Sequence, residues 1–414
     1  MLPETAADDW PWWRGPQLDN KAEPQDVPLT WSEEFAEVKE GEKKDLDAKP
    51  KWTNIRWKSA VPGRGLSSPS IWGDLIFLTT ANEEKESIHL LCYRRSDGAP
   101  QWNTTLHNGG FLTTHKKNSQ ASPTVACDGT AVYVPHVVHH EDQDGVWVSA
   151  VDMGGNILWQ QPAGKFTSLH GYGASPVIYG ELLIVSGDNG ETGFLAALDR
   201  QTGKVRWRVD RKKDYSFATP TVAHVAGRDQ LLIHGTLLVT SYDPQTGEEL
   251  WRCDGPSLSA ANTMVADSER VYASGGYPEK VLLAIRADGR GDVTKTHIEW
   301  KTQKRICYVP TMMLHENRLY GINDTGRASC YIADTGEEVW KATLPGDFSA
   351  SPTLVGDRLY IPNEAGKMYV LKTGDKFEIL AENDLADGGF ATPVIVGGGI
   401  YLRTDHHLYC IGNK

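Results

Sequence analysis

The sequence predicts an all-β fold, an eight-bladed propeller whose blades are four-stranded antiparallel sheets. Three observations carry this prediction. The stretch Ala174–Asp210 holds four short apolar patterns separated by turn residues: Val177-Ile178 before Gly180, Leu182–Val185 before Gly187, Phe194–Leu198 before Thr202-Gly203, and a last one carrying Val205 and Trp207. Variants of this unit return along the chain. Their first strands are marked by Ser68-Pro69, Ser122-Pro123, Ser175-Pro176, Thr219-Pro220, Asn262, Val309-Pro310, Ser351-Pro352 and Thr392-Pro393, roughly 41 to 54 residues apart. The third observation concerns closure. The eighth unit reaches Lys414 after three strands, while Asn54–Lys58 reads as a fourth strand with no first three before it, so this orphan completes the last blade. A closed ring leaves no open sheet edge between first and last blades.

Taken in order, the chain opens with a segment that does not repeat. Residues 1–53 are expected to pack on the outside of a single propeller domain spanning 54–414. The three tryptophans of Trp10-Pro11-Trp12-Trp13-Arg14-Gly15-Pro16 supply the packing surface, and Phe35–Lys51 forms a charge-rich exposed excursion. Within the repeats, fourth strands carry Trp102, Trp159, Trp207, Trp251, Trp300 and Trp340, with Ile379-Leu380 in the seventh slot and Trp57 in the orphan strand. Turns such as Asp199–Gly203, Asp243–Gly247 and Asp334-Thr335-Gly336 place a glycine where a tight hairpin needs positive φ, and the following indole packs between blades. Cys92, Cys330 and Cys410 fall on corresponding third-strand positions, and none of the six cysteines forms a Cys-x-x-Cys or adjacent pair, so they read as small buried apolar residues.

Composition narrows the function classes. With 40% hydrophobic and 23% charged residues, 41 glycines and 22 prolines, the chain is that of a soluble globular protein rich in turns. A formal net charge of −12 argues against nucleic acid as a partner. No apolar run approaches bilayer-spanning length, and Met1–Asp9 lacks the basic start and apolar core of a secretory signal. A monomer is expected.

Repeats of the form Ala-x-Asp-x-x-Thr-Gly followed shortly by tryptophan, with Ser-Pro opening the next blade, resemble the PQQ-like (pyrroloquinoline quinone) propeller repeat. ALDRQTGKVRW (197–207), SYDPQTGEELW (241–251) and YIADTGEEVW (331–340) carry the likeness best. WPWWRGP, NIRWKSAVPGRGLSSP and FSASPTLVGDRLY add a resemblance to secreted propeller proteins of planctomycete-type bacteria. The resemblance implies a periplasmic or secreted location. The wider superfamily holds both quinoprotein alcohol dehydrogenases and the lipoprotein scaffold of the outer-membrane barrel assembly machine, so the repeat speaks to fold and leaves chemistry open. A quinoprotein needs calcium on oxygen ligands, an aspartate base and flat groups around the cofactor. This chain has no Cys-Cys pair and no full set of the calcium Glu, Asn and Asp residues. No cofactor or metal is therefore assigned, with PQQ and calcium kept as the alternative.

Candidate site residues come from the links between blades, which share one face. Taking the position five before each first-strand proline slot gives Arg64, Asn118, Gly171, Tyr215, Ser257, Arg305, Asp347 and Gly388, flanked by His170, Tyr172, Phe217, Tyr308 and Asp387. The longest link, Asn108–Gln120, contains the basic triplet His115-Lys116-Lys117 in an acidic protein. The expected ligand mouth comprises Arg64, His115, Lys117, Asn118, His170, Tyr172, Tyr215, Arg305, Tyr308 and Asp347, and suits an anionic or carbonyl-bearing ligand. No catalytic residue is assigned. Asp188–Glu191, Asn323–Gly326 and Asn363–Gly366 read as turns rather than metal ligands, and His136, His139, His140, His406 and His407 lack a demonstrated metal-binding spacing. The leading expectation is a non-catalytic platform that binds a protein, peptide or carbohydrate-like ligand. The runner-up is a PQQ- and calcium-dependent oxidoreductase of alcohols or sugars, and a third is a structural envelope component that uses Trp10–Trp13 as its contact.

Closure by the orphan strand can be tested directly. Deleting residues 54–61 leaves the third strand of the last blade as an open edge and is expected to unfold or oligomerise the protein. Size-exclusion chromatography with thermal melting decides, because a monomer with an unchanged melting temperature contradicts closure.

Overall fold

The computed structural model describes residues 2, 3, 5–34, 50–140, 144–168, 170–213 and 215–413. The charge-rich excursion expected at 35–51 lies almost wholly outside the described residues. Eight four-stranded antiparallel units follow one another in sequence: blade 1 at 70–108, blade 2 at 126–164, blade 3 at 177–210, blade 4 at 221–254, blade 5 at 265–302, blade 6 at 313–343, blade 7 at 353–384 and blade 8 at 394–411. Ile55–Ala60 supplies the fourth strand of blade 8, pairing antiparallel with His407–Ile411 so that Cys410 faces Trp57. The eight-bladed ring is thus closed by the N-terminal strand.

First strands of neighbouring blades touch and line the axis. Near one end of these strands, at seven of the eight steps, a buried hydroxyl accepts the main-chain N–H of the blade before it. Ser68 donates to Thr124, Thr124 to Ser175 and Ser175 to Thr219, each at 3.0 Å. Thr263 donates to Thr311, Thr311 to Ser351, Ser351 to Thr392 and Thr392 back to Ser68, again at 3.0 Å. At the remaining step, Thr263 Oγ1 accepts instead from Trp13 Nε1 at 3.0 Å. Buried N–H groups require acceptors, and a short hydroxyl side chain is the one that reaches across here.

The outer strands are joined differently. Nε1 of Trp57, Trp102, Trp159, Trp300 and Trp340 donates to a carbonyl of the next blade, at Arg95, Met153, Arg200, Ala333 and Gly374 respectively, over 2.9–3.2 Å. The rings of Trp57, Trp102, Trp159 and Trp300 lie against Gly98, Gly155, Gly203 and Gly336, positive-φ glycines where a Cβ would come within 3 Å of the indole. Trp251 departs from the pattern. Fully buried, it donates to Gln230 Oε1 of its own blade at 2.7 Å, and Gly291–Asp292 of blade 5 adds a parallel strand to the edge beside it. All six cysteines are buried and unbridged.

Residues 10–22 pack as a cover over the innermost strands, and residues 27–34 run out to the fourth strands of blades 7 and 8, where Trp31 N donates to Asn383 Oδ1 at 2.8 Å and Glu33 pairs with Lys58 at 2.9 Å. Trp10 forms a two-way bridge with Ile71 of blade 1, and Pro11 O accepts from Cys127 N of blade 2. Lys21–Ala22 pairs in parallel with Leu354-Val355 of blade 7. Trp12 is buried in the core of blades 2 and 3, and Trp10 in that of blades 1 and 8. These contacts fall farther along the first strands than the hydroxyl circle, so the segment fills the channel from one end and leaves the circle's end to the interblade links.

The hydroxyl circle sets a specific expectation. Thr392→Val keeps the side-chain shape but leaves the Ser351 N–H without its acceptor, and should cost about 1–3 kcal/mol. Urea unfolding reads this as a lower midpoint at constant slope; an unchanged midpoint would show the circle to be incidental.

Candidate functional site

Strand direction alternates within a blade, so links from a fourth strand to the next first strand emerge on the same face as the turns between second and third strands. Pairing across the two loop types bears this out. Arg211 in the link after blade 3 holds Asp188 of that blade's turn at 2.8 Å, and Val309 N donates to Asp324 Oδ1 at 3.1 Å. Asp387 accepts from His406 and His407 at 2.9 and 2.6 Å.

The long link after blade 1 dominates this face. Lys117 Nζ lies 2.8 Å from Glu364 Oε1 and 3.3 Å from Asp347 Oδ2, which belong to blade 7 and to the link before it. Ser349 Oγ donates to the same Glu364 oxygen at 2.7 Å. Arg64 reaches in from the link after blade 8, giving a hydrogen bond to Lys116 O at 2.6 Å and an ion pair with Glu83 at 3.4 Å. Burial opposes the charge on Lys117, but the hydrogen bonds and charges of Glu364 and Asp347 outweigh it and hold its pKa above the ordinary lysine value.

A second group lies beside the first. Asn118 Nδ2 donates to His170 O at 2.7 Å, and the exposed His170 ring stands edge-on to three others: His115 at 6.1 Å, Tyr215 at 6.4 Å and Phe217 at 5.9 Å. Tyr215 is 39% exposed and packs over Gly190. Seven of the ten expected mouth residues therefore gather into one connected set: Arg64, Lys117 and Asp347 on one side, His115, Asn118, His170 and Tyr215 on the other. Three stand apart. Tyr172 is 6% exposed and donates to Ser186 O at 2.8 Å, inside the core beside Phe166. Arg305 is turned to Ala342 O at 2.9 Å, and Tyr308 lies over Gly276 with its hydroxyl 3.2 Å from Ser259 Oγ.

Glu364 and Ser349 are site residues that sequence reasoning did not select. Asn189, Asn323 and Asn363 do serve as turn residues, each Oδ1 accepting main-chain N–H groups two or more positions on. The residue after each asparagine varies, and it faces the mouth: Gly190 under Tyr215, Asp324 against Val309, Glu364 on Lys117. That one variable position inside a repeated turn was the available signal.

The residues do not fit a quinone with calcium. Asp347 and Glu364 are held by Lys117, Asp188 by Arg211, and Asp387 by Thr404, His406 and His407. Among the described residues no three His, Cys, Asp or Glu side chains are grouped to hold a metal ion. His136 is buried with its ring 6.2 Å from His107, while His139 and the main chain of His140 both address Asp144. A cavity of about 860 Å³ lies on the opposite face beside Arg14 and Lys21, and Asp229 in its wall is taken by Tyr179 and His224.

A ring of eight blades closed by its own N-terminal strand, with irregular links on one face, is a propeller of the PQQ-like repeat class. The chain belongs to the family described as outer membrane protein assembly factor BamB, whose profile matches residues 90–306 and 300–377. Outer membrane protein assembly factor BamB of Legionella pneumophila is 24% identical over 169 residues, 40% of this chain and 43% of that protein. That of Shewanella oneidensis is 24% identical over 225 residues, 50% of this chain and 52% of that protein. The chain thus spans about half the length of these curated relatives. Among solved structures, BamB from Moraxella catarrhalis superposes with a TM-score of 0.58 at 15% identity, over 86% of this chain and 98% of that one. Quinohemoprotein alcohol dehydrogenase from Comamonas testosteroni gives 0.66 at 11% identity, over 98% and 81%. Both likenesses are of fold.

Acid sensitivity follows from the buried histidines. Burial pushes His136 and His234 down to about 4. In the unfolded chain each takes up a proton near ~6.5, so between about 6.5 and 4 the unfolded state binds more protons and stability falls as pH drops. Urea midpoints should be flat above about pH 7 and decline through that window. His136→Gln with His234→Gln should flatten the decline; an identical slope in the double variant would place acid sensitivity elsewhere.

Proposed function

We propose that this chain is a non-catalytic propeller platform of the cell envelope, periplasmic or secreted, which captures a protein, peptide or carbohydrate-like ligand at the mouth built by its interblade links. The observation that carries the reading is the family match to outer membrane assembly factors, which extends through most of the blades. The site chemistry supports it. The mouth offers exposed rings at His170 and Tyr215, main-chain groups of an irregular link, and charged side chains already engaged with one another. Such a surface recognises through contact area and hydrogen bonds, whereas a catalytic carboxylate would be left open to substrate. The quinoprotein alternative shares the fold and lacks a matching donor set. In this reading the protein acts as a monomer.

Rings at a binding face supply rigid contact area, so His170 and Tyr215 are the residues to remove. His170→Ala with Tyr215→Ala should reduce recovery of the principal species retained from a solubilised envelope fraction at least about tenfold. The melting temperature should stay the same, since the His170 ring is exposed and Tyr215 partly so. A retained profile identical to wild type, quantified by mass spectrometry, would refute the mouth as the capture site.

A further inference from the structure

We infer that residues 109–118 form a hinged strap, latched shut by Lys117 across the mouth, so that access to the face proposed above is regulated by the chain itself; the inference rests on that reading. The link after blade 1 covers 109–125, whereas the link between blades 6 and 7 needs only 344–352 for the same step around the ring. The extra length is used to leave the neighbouring blade. Lys117 reaches Glu364 and Asp347 on the far side of blade 8, and Lys116 O receives Arg64 from the link after that blade.

The strap is built to move. Gly109 and Gly110 both have positive φ, 84° and 71°, at its start. No residue from 111 to 118 is buried, and the next residue, Ser119, is buried and held to Ser122. A small void lies beneath, between Leu112, Thr114, Val137 and Phe166. Regions with few buried apolar contacts open locally at little cost, and a lid of this kind hinges where small residues absorb the rotation. Phe111 packs partly buried against the core of blades 1 and 2 at the hinge end; beyond it the strap's anchors are polar, and the strongest is the ammonium shared by two carboxylates. Glu364 is only 16% exposed and Lys117 35%, so the pair is screened less than a surface pair and more than a core one. Release of Lys117 frees the Glu364 and Asp347 carboxylates toward the mouth and takes His115 and Asn118 away from His170.

The test uses a reporter beneath the latch. Ser349→Cys places a thiol beside Glu364, and the six native cysteines are buried, so a polyethylene-glycol maleimide reports that position. Adding Lys117→Met should accelerate labelling about three- to tenfold, and 1 M NaCl, with a Debye length of about 3 Å, should bring the Ser349→Cys protein toward the same rate. Lys117→Arg should remain slow. Equal labelling rates with and without Lys117→Met would overturn the latch, as would a rate insensitive to salt. The envelope pull-down separates the two readings. Faster labelling with increased capture supports both. Faster labelling with capture indifferent to His170 and Tyr215 leaves the latch standing and overturns the ligand reading.

Discussion

The circle of hydroxyl-to-amide hydrogen bonds around the channel is the constraint on which the rest of the molecule depends. Each bond ties one blade's first strand to the next at 3.0 Å, and Thr392 returns the chain of bonds to Ser68. Neighbouring sheets in a ring diverge outward, so the axis is where their backbones come closest and where an unpaired N–H would be most costly. At seven of the eight steps a single hydroxyl settles that requirement and helps fix the angular step between blades. The outer contacts of Trp57, Trp102, Trp159, Trp300 and Trp340 then fill the wedge that this step opens, and the glycine under an indole marks how little room is left.

A fixed angular step has a consequence for function. With the blades held at both radii, variation is confined to loops, and strand alternation sends two classes of loop to one face. The other loops include the Thr-Gly turns, which carry the tryptophan contacts and are therefore not free to change. The interblade links and the turns after second strands carry no such duty. This is why Lys117, Glu364, Asp347, His170 and Tyr215, which come from five separate loops, converge there.

The fold was legible because its sequence marks are the interactions themselves. Ser-Pro and Thr-Pro announce the hydroxyl circle, Thr-Gly followed by tryptophan announces the outer contact, and Trp57 without a preceding blade announces closure. Even so, the proline mark drifts from the hydroxyl: the circle uses Thr124 and Thr311, which follow Pro123 and Pro310, and Thr263, which has no proline beside it, whereas Ser68, Ser175, Thr219, Ser351 and Thr392 precede theirs. The face shared by the links and the turns after second strands was legible from strand alternation. Its pairings were not, because Lys117 and Glu364 are 247 positions apart and their meeting depends on where each loop lands around the ring. Tyr172 shows the same limit from the other side. It lies next to a mouth position in sequence, yet its ring is drawn into the core with Phe166, a choice made by packing volume and not by any repeat. The course of residues 5–34 was illegible for a related reason, since a segment used once has no second copy to reveal its partners.

The two ends of the channel are closed by segments outside the repeat, and they are closed in opposite ways. At one end Trp10, Trp12, Arg14 and Asn20 are buried, with main-chain pairing to blades 1 and 7, so removing that cover would expose apolar surface and break strand ladders together. At the other end no residue from 111 to 118 is fully buried, Phe111 alone packs partly buried against the core of blades 1 and 2, and the rest is held by an ammonium, a guanidinium and an amide. Apolar burial cannot be released by a change of charge, whereas ionic anchors can be competed for by any group that offers the same charge. The buried end therefore serves stability, and in the function proposed above the polar end is the one that exchanges its internal contacts for those of a ligand. This asymmetry assigns direction to an otherwise nearly symmetric ring, and it follows from the kinds of side chain at each end rather than from the blades between them.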